Sequence, residues 1–224
     1  MKYLAMDLDI FKSFLVIPIV TISLLCACSS APPLTEENYK KEQNRLNQVL
    51  LNIRMGIKQN NAQLVYQYLS QHSKDWFLDM RNSANSEAID YLKERPFYEV
   101  LCILALRLEV KLRPHTKLDP VSILKRVMID MGPIKKSFIK YPLGDFHIQQ
   151  FRAEIGLKKA SNVPVFFFVL EDEQWRLNLV QSLPLLLLGA ENFARQKYSE
   201  TIQQSLYLLE KISREKFTPE ELLR

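Results

Sequence analysis

In the first half of the chain apolar positions recur at three- and four-residue spacing. In much of the second half they alternate with polar ones, and that change of period divides the sequence. Thr35 stands where it can cap a helix whose first turn carries Glu36 and Glu37, and Leu46, Val49, Leu50, Ile53 and Ile57 give that helix one apolar face. Asn60-Asn61 breaks it. Leu64, Val65, Tyr68 and Leu69 mark a short second helix, and Ser73 is the candidate cap of a third piece carrying Trp76, Phe77 and Met80. Ser86 and Glu87 open another, and Pro96 marks a restart, since proline is tolerated in a first turn. Residues 97–112, FYEVLCILALRLEVKL, are apolar almost all round, which predicts burial on most sides. The second half of that run, residues 105–112, alternates and fits a strand equally well. Asp119-Pro120 is a cap followed by a first-turn proline, so VSILKRVMIDM reads as a further helix, ended by Gly132-Pro133.

Residues 134–141, 146–158, 163–170 and 174–180 read as strands joined by short turns. Trp175, Leu177 and Leu179 alternate with Arg176 and Asn178, giving one buried and one polar face. In the longest strand Phe146 and Ile148 fall on one parity, and Phe151, Ala153, Ile155 and Leu157 on the other. A β-bulge near Gln149-Gln150 would reconcile them. Parallel crossovers need a dozen or more residues, so these spacings predict an antiparallel meander. After Pro184 the pattern returns to helix. Ile202, Leu206, Leu209 and Ile212 line one face of residues 198–214, and Thr218-Pro219-Glu220-Glu221 caps a last turn.

With 47% hydrophobic and 25% charged residues, the chain is of globular composition rather than disordered or fibrous. Only 5 glycines are present, and no GxGxxG or GxxxxGK[ST] pattern occurs, so a phosphate-cradling loop is excluded as a motif. The net charge of +5 fits an anionic membrane surface or envelope polymer, and equally no particular partner.

The start of the chain carries its sharpest signal. FLVIPIVTISLL, residues 14–25, is uncharged and about twelve residues long, the length of a signal-peptide core; a spanning helix needs about twenty. Leu25-Cys26-Ala27-Cys28 follows, and it resembles the lipobox of bacterial lipoproteins: an aliphatic residue three before the cysteine and a small one just before it. The resemblance implies cleavage before Cys28, a diacylglycerol thioether on Cys28 and an acyl chain such as palmitate on its new amine. Ser29 in the next position implies the outer membrane, facing the periplasm, in a bacterium with two membranes. Asp7 and Asp9 depart from the usual positive start. Processing discards Cys26 and uses Cys28. Cys102 is then the sole remaining cysteine, read as a small buried hydrophobe.

Helices followed by an antiparallel sheet that closes on FFFVLEDEQWRLNLV resemble the nuclear transport factor two-like superfamily, with Trp175-Arg176-Leu177-Asn178-Leu179 matching its last strand. The resemblance implies a cone-like α+β fold with a pocket between helices and sheet, used in that superfamily for binding, for dehydration or isomerisation, or for assembly. An enzyme of this type needs a base in an apolar cavity, and His147, Arg152 and Glu154 are the candidates. His72, His115 and His147 are far apart with no HExxH, so no metal site is assigned. No GxSxG occurs. Tyr91, Phe97 and Tyr98 beside Lys93 and Arg95 make a candidate groove for a peptide or glycan, or else core aromatics with solvated charges. Lys135-Lys136 and Lys158-Lys159 read as edge guards.

The expected organisation is a signal peptide over 1–27, a lipidated tether over 28–34, an α+β domain over 35–183 and a helical tail over 184–224. The expected fold is α+β, with N-terminal helices on a curved antiparallel sheet and a helical C-terminal end. The expected function is that of an envelope lipoprotein: a non-enzymatic module for a partner protein or apolar ligand, held on the membrane through Cys28 and meeting no nucleic acid. A hydratase or isomerase, or an assembly subunit of an envelope machine, is the competing expectation. No residue is assigned a catalytic, cofactor-binding or metal-binding role.

Overall fold

The computed structural model describes residues 34–115, 118–130, 135, 138–139, 142–213 and 216–223, without the side chains of residues 127 and 160–162. The signal peptide, Cys26, Cys28, most of the tether and Gly132-Pro133 lie outside these residues. From Leu34 onward the chain forms one compact unit.

Helix α1, Glu36–Lys58, starts at Thr35, whose hydroxyl accepts from the Asn38 amide at 3.3 Å. Leu46, Leu50, Ile53 and Ile57 are buried on its inner face. Asn60 takes a left-handed φ of 54°, turning the chain into α2, Ala62–Gln67, which Asn61 caps. Gly56 is required here: a Cβ would sit 2.8 Å from Val65 Cγ2. Helix α3, Gln71–Ser86, is capped by Ser70 rather than Ser73, because the backbone turns helical two residues after Leu69, which pairs with Leu177. Ser86 therefore ends α3 and opens nothing. The next piece, α4, is only Ile89–Leu92. Helix α5, Phe97–Leu112, is unbroken, so residues 105–112 are helix and not strand. Their alternation coexists with burial on nearly all sides, which a central helix satisfies as well as a strand. Asp119 caps α6, Pro120–Ile123, accepting from the Ser122 amide at 2.9 Å, and the helix continues as a π-helix over Leu124–Asp130.

The sheet is four antiparallel strands in chain order, open and curved: β1 Leu143–Gln149, β2 Arg152–Leu157, β3 Ala160–Glu171 and β4 Gln174–Asn178. Three expectations are corrected here. Lys135, Phe138 and Ile139 are helical rather than part of a first strand. The parity change near Gln149-Gln150 is not a bulge within one strand. Gln149 pairs with Arg152, so a two-residue hairpin at Gln150-Phe151 reverses the chain. The last strand stops at Asn178, whose side chain accepts from the Gln181 amide and starts α7, Leu179–Arg195, with Pro184 inside the helix.

The inner face of the sheet carries Phe146, Ile148, Ala153, Ile155, Phe166, Phe168, Trp175 and Leu177, all buried. Helix α1 lies against β1 and β4, while α7 lies against β3. Beyond them α3, α5, α7 and α8, Thr201–Ser213, pack on one another, and α9, Pro219–Leu222, rests on α5. The C-terminal helices thus share the core. Ile202, Leu208 and Leu209 are buried, whereas Ile212 is exposed, so the inward stripe of α8 is rotated from the one its spacing suggested.

Candidate functional site

Strand alternation that sends Phe146 and Ile148 inward sends His147 and Gln149 outward, and on β2 it does the same for Arg152 and Glu154 around Ala153. The register then aligns two rows across the outer face. His147 lies opposite Glu154, Glu154 opposite Phe167, and Phe167 opposite Asn178. Gln149 lies opposite Arg152, Arg152 opposite Val169, and Val169 opposite Arg176. The three residues singled out from sequence are therefore brought together, by the hairpin at Gln150-Phe151. Gln181 joins them from the first turn of α7, held there by Asn178.

These side chains border a depression of about 130 Å³ with Phe167 half-buried within it. His147, Gln149 and Arg152 are exposed and Glu154 is half-buried. Among the described residues none of these four side chains makes a hydrogen bond or ion pair. Arg152 and Glu154 balance in charge. None of the three candidates lies in an apolar cavity, because the opposite, inner side of the sheet is filled by Phe138, Phe166, Phe168 and Trp175. The base-in-a-pocket arrangement of an isomerase is not formed by these residues.

At the β4 end of the same face Arg176 donates to the Gln67 carbonyl and, at 2.7 Å, to Gln174 Oε1. A cleft of about 490 Å³ opens there beside Tyr66, Tyr68 and Lys74. The Lys74 ammonium stands 5.5 Å from the Tyr66 ring centre, and the Asn52 amide donates to the Tyr68 hydroxyl at 2.7 Å. Burial, with Asp75 and Asp119 nearby, pushes the Tyr66 hydroxyl above the usual phenol range.

A third cleft, about 440 Å³, takes in part of the aromatic and basic stretch noted in the sequence: Arg95, Phe97 and Tyr98 line it with Pro184, Leu187 and Glu191. Tyr91 and Lys93 are not among its walls; both are exposed, and Lys93 pairs with Asp90 at 2.8 Å. Arg95 is committed to the scaffold. Its Nε donates to Glu87 at 2.9 Å, Nη1 to Glu99 at 2.7 Å and Nη2 to Ser83 at 2.9 Å. Burial alone would raise the Glu87 pKa, but the Arg95 guanidinium and the Ser83 hydroxyl override it and hold the carboxyl below its ordinary range. Tyr98 is pushed up by burial and by Glu99. This cleft has few free polar groups to offer a ligand.

Cys102 is buried, and burial pushes its thiol pKa up, so it behaves as a hydrophobe. His72, His115 and His147 are all exposed. Among the described residues no group of three His, Cys, Asp or Glu is placed to hold a metal ion. Among them too, no helix is long and apolar enough to cross a membrane. Lys135, Lys158 and Lys159 are exposed. Gln149, Phe167, Arg176 and Gln181 were not singled out from sequence. The cue for Gln149 was the hairpin register, and for Gln181 it was Asn178 acting as a cap.

The chain matches no protein-family model, no curated protein and no solved structure.

Proposed function

We propose that this chain is an exported lipoprotein, anchored through lipid on Cys28, that presents a non-enzymatic binding module at a membrane surface. The observation that carries this reading is Leu25-Cys26-Ala27-Cys28 directly behind twelve uncharged residues. Stable anchoring takes two acyl chains or more, which a thioether-linked diacylglycerol provides. A binding role is supported by the free polar side chains gathered on the outer face of the sheet, and by an inner side already occupied by core aromatics. That arrangement favours a polar ligand over the apolar one the sequence suggested. The helices on a curved sheet closing with Trp175-Arg176-Leu177 support kinship with the nuclear transport factor two-like superfamily, in a form whose pocket is filled. With Ser29 after the lipidated cysteine, the address is the outer membrane, facing the periplasm, if the source has two membranes. Cells expressing the chain are fed an alkyne-tagged fatty acid. Label is expected on the wild type and absent from Cys28→Ala, which also keeps its leader; label persisting on Cys28→Ala overturns the address.

A further inference from the structure

We propose that the outer face of the sheet is a glycan-binding surface for an uncharged sugar strand bearing acetamido groups. The inference rests on the binding-module reading and names its ligand class.

The two cross-strand rows decide the chemistry. One reads His147, Glu154, Phe167, Asn178; the other reads Gln149, Arg152, Val169, Arg176. Neighbouring strands lie about 4.8 Å apart, so each row spans roughly 15 Å, enough for a short oligosaccharide laid across the strands. Carboxylate, guanidinium and amide groups each present two polar atoms in one plane, which suits the adjacent hydroxyls of a sugar. Gln149 offers both an N–H donor and a carbonyl acceptor, the complement of an acetamido group, and Gln181, whose side-chain carbonyl accepts from the Asn178 side-chain amide at 3.4 Å, adds a second N–H donor. Phe167, half-buried at the centre of a row, is an apolar platform for the C–H face of a ring, and Tyr66 and Tyr68 extend such surface beyond β4.

Charge and availability narrow the ligand further. Arg152 and Glu154 sit two residues apart on one strand without pairing, so both stay open to a ligand while their charges offset each other; Arg176 at the row's end is occupied by the Gln67 carbonyl and Gln174 Oε1. A polyanion such as a nucleic acid strand would be repelled by Glu154 in the middle of the face. A peptide adding itself as a strand beyond β4 meets an edge already used: the Ser70 amide donates to the Leu177 carbonyl at 2.9 Å, and the Leu177 amide to the Tyr68 carbonyl at 2.7 Å.

The test titrates a tetramer of N-acetylglucosamine into the purified full chain in detergent, followed by calorimetry. Saturable binding is expected, weakened at least about tenfold by Arg152→Ala, by Gln149→Ala and by Phe167→Leu, and unchanged by Leu51→Ala on the exposed side of α1. Because the ligand is uncharged, affinity should change less than about twofold between roughly 0.05 and 0.3 M salt. Arg152 and Gln149 are exposed, so their variants keep the fold even if Phe167→Leu does not. No saturable binding, binding that all three variants retain, or a peptide held on this face in place of the sugar overturns the proposal. A flat titration with acyl label intact on Cys28 sinks the glycan alone; lost label with binding intact sinks only the address.

Discussion

The indole of Trp175 donates to Glu42 Oε2 at 2.7 Å, joining the last strand to a helix 133 residues earlier in the chain. Glu42 also receives Arg45 Nη1 on both oxygens, at 2.8 and 2.9 Å, and Arg45 reaches on to the Glu173 carbonyl in the final hairpin. One carboxylate thus fastens α1 to the turn between β3 and β4. Trp175 is 2% exposed, so its ring fills core while its N–H meets a charge. Trp175→Ala is expected to lower stability by about 3–5 kcal/mol, the cost of emptying a large aromatic site. Trp175→Phe keeps most of the packing and removes the charge-assisted bond, with an expected loss of about 1–3 kcal/mol. Urea midpoints measure both; equal losses would mean that the bond to Glu42 carries everything.

Arg95 and Glu87 predict a pH signature. In the wild type Glu87 titrates below its ordinary range, while in the unfolded chain a glutamate titrates near about 4.3. Its contribution is therefore complete above that value and is lost as pH falls through the lower, folded pKa. Arg95→Met removes the strongest of the influences that lower the Glu87 pKa, leaving burial opposed only by Ser83 and Arg107, so its folded pKa moves upward, toward the unfolded value. The linkage then flattens: for the variant, this contribution changes little as pH crosses the unfolded value. Partly exposed as the pair is, Arg95→Met should cost about 2–3 kcal/mol at pH 7. The gap to wild type should shrink between roughly pH 6 and pH 3. A gap independent of pH would show that Glu87 does not titrate with Arg95.

The two glycines described in helices should respond in opposite senses. Ala at Gly56 would press its Cβ to 2.8 Å from Val65 Cγ2 and 3.2 Å from the Asn61 carbonyl, both fixed by the α1–α2 turn, for an expected loss of about 1–3 kcal/mol. Ala at Gly189 meets nothing within 4 Å on an exposed helical position and should add about 0.5–1 kcal/mol. Thermal melts of the two variants check the sign of each.

What could be read from sequence follows the range of the interaction that fixes it. The α1 face, the Asp119 and Thr218 caps and the Trp175-Arg176-Leu177 alternation are settled within one turn or one strand, and the structure has them where the spacing put them. The Gln150-Phe151 hairpin has neither Gly nor Asn to announce it, so its parity change was indistinguishable from a bulge. Ser70 and Ser73 are both competent caps, and what chooses Ser70 is a bridge to Leu177, remote in sequence. The outer face was half legible for the same reason. His147, Arg152 and Glu154 stand out as residue types, but the register that sets them beside Phe167 is a tertiary fact.

The final hairpin offers a stabilising change. Asp172 and Glu173 both have left-handed φ values, 48° and 60°, as a two-residue turn with two positive φ angles requires. Asn-Gly adopts that turn with less strain, and the Arg45 contact is to the Glu173 backbone carbonyl, which any residue supplies. Asp172→Asn with Glu173→Gly should raise stability by about 1 kcal/mol, read as a higher urea midpoint. A lower midpoint would mean that these two side chains carry contacts beyond the turn.

The C-terminal helices should prove indispensable to the fold rather than a detachable docking arm. Helix α5 is apolar on nearly every side, and α8 covers one of them with Ile202, Leu208 and Leu209. Arg107 of α5 donates to the Leu222 carbonyl at 3.0 Å, and Lys111 pairs with Glu221, so α9 is held as well. Deleting residues 198–224 would expose this surface, and the truncated chain should lose cooperative unfolding. Point variants test the helix register without that upheaval. Leu209 is fully buried and Ile212 is 39% exposed, although their spacing alone put both on one inward stripe. Leu209→Ala should cost about 2–5 kcal/mol, whereas Ile212→Ala should stay within about 0.5 kcal/mol of wild type. If the truncated protein unfolds cooperatively, or if the two alanine variants are equally costly, α8 does not pack as described, and its apolar stripe would again be free to meet a partner.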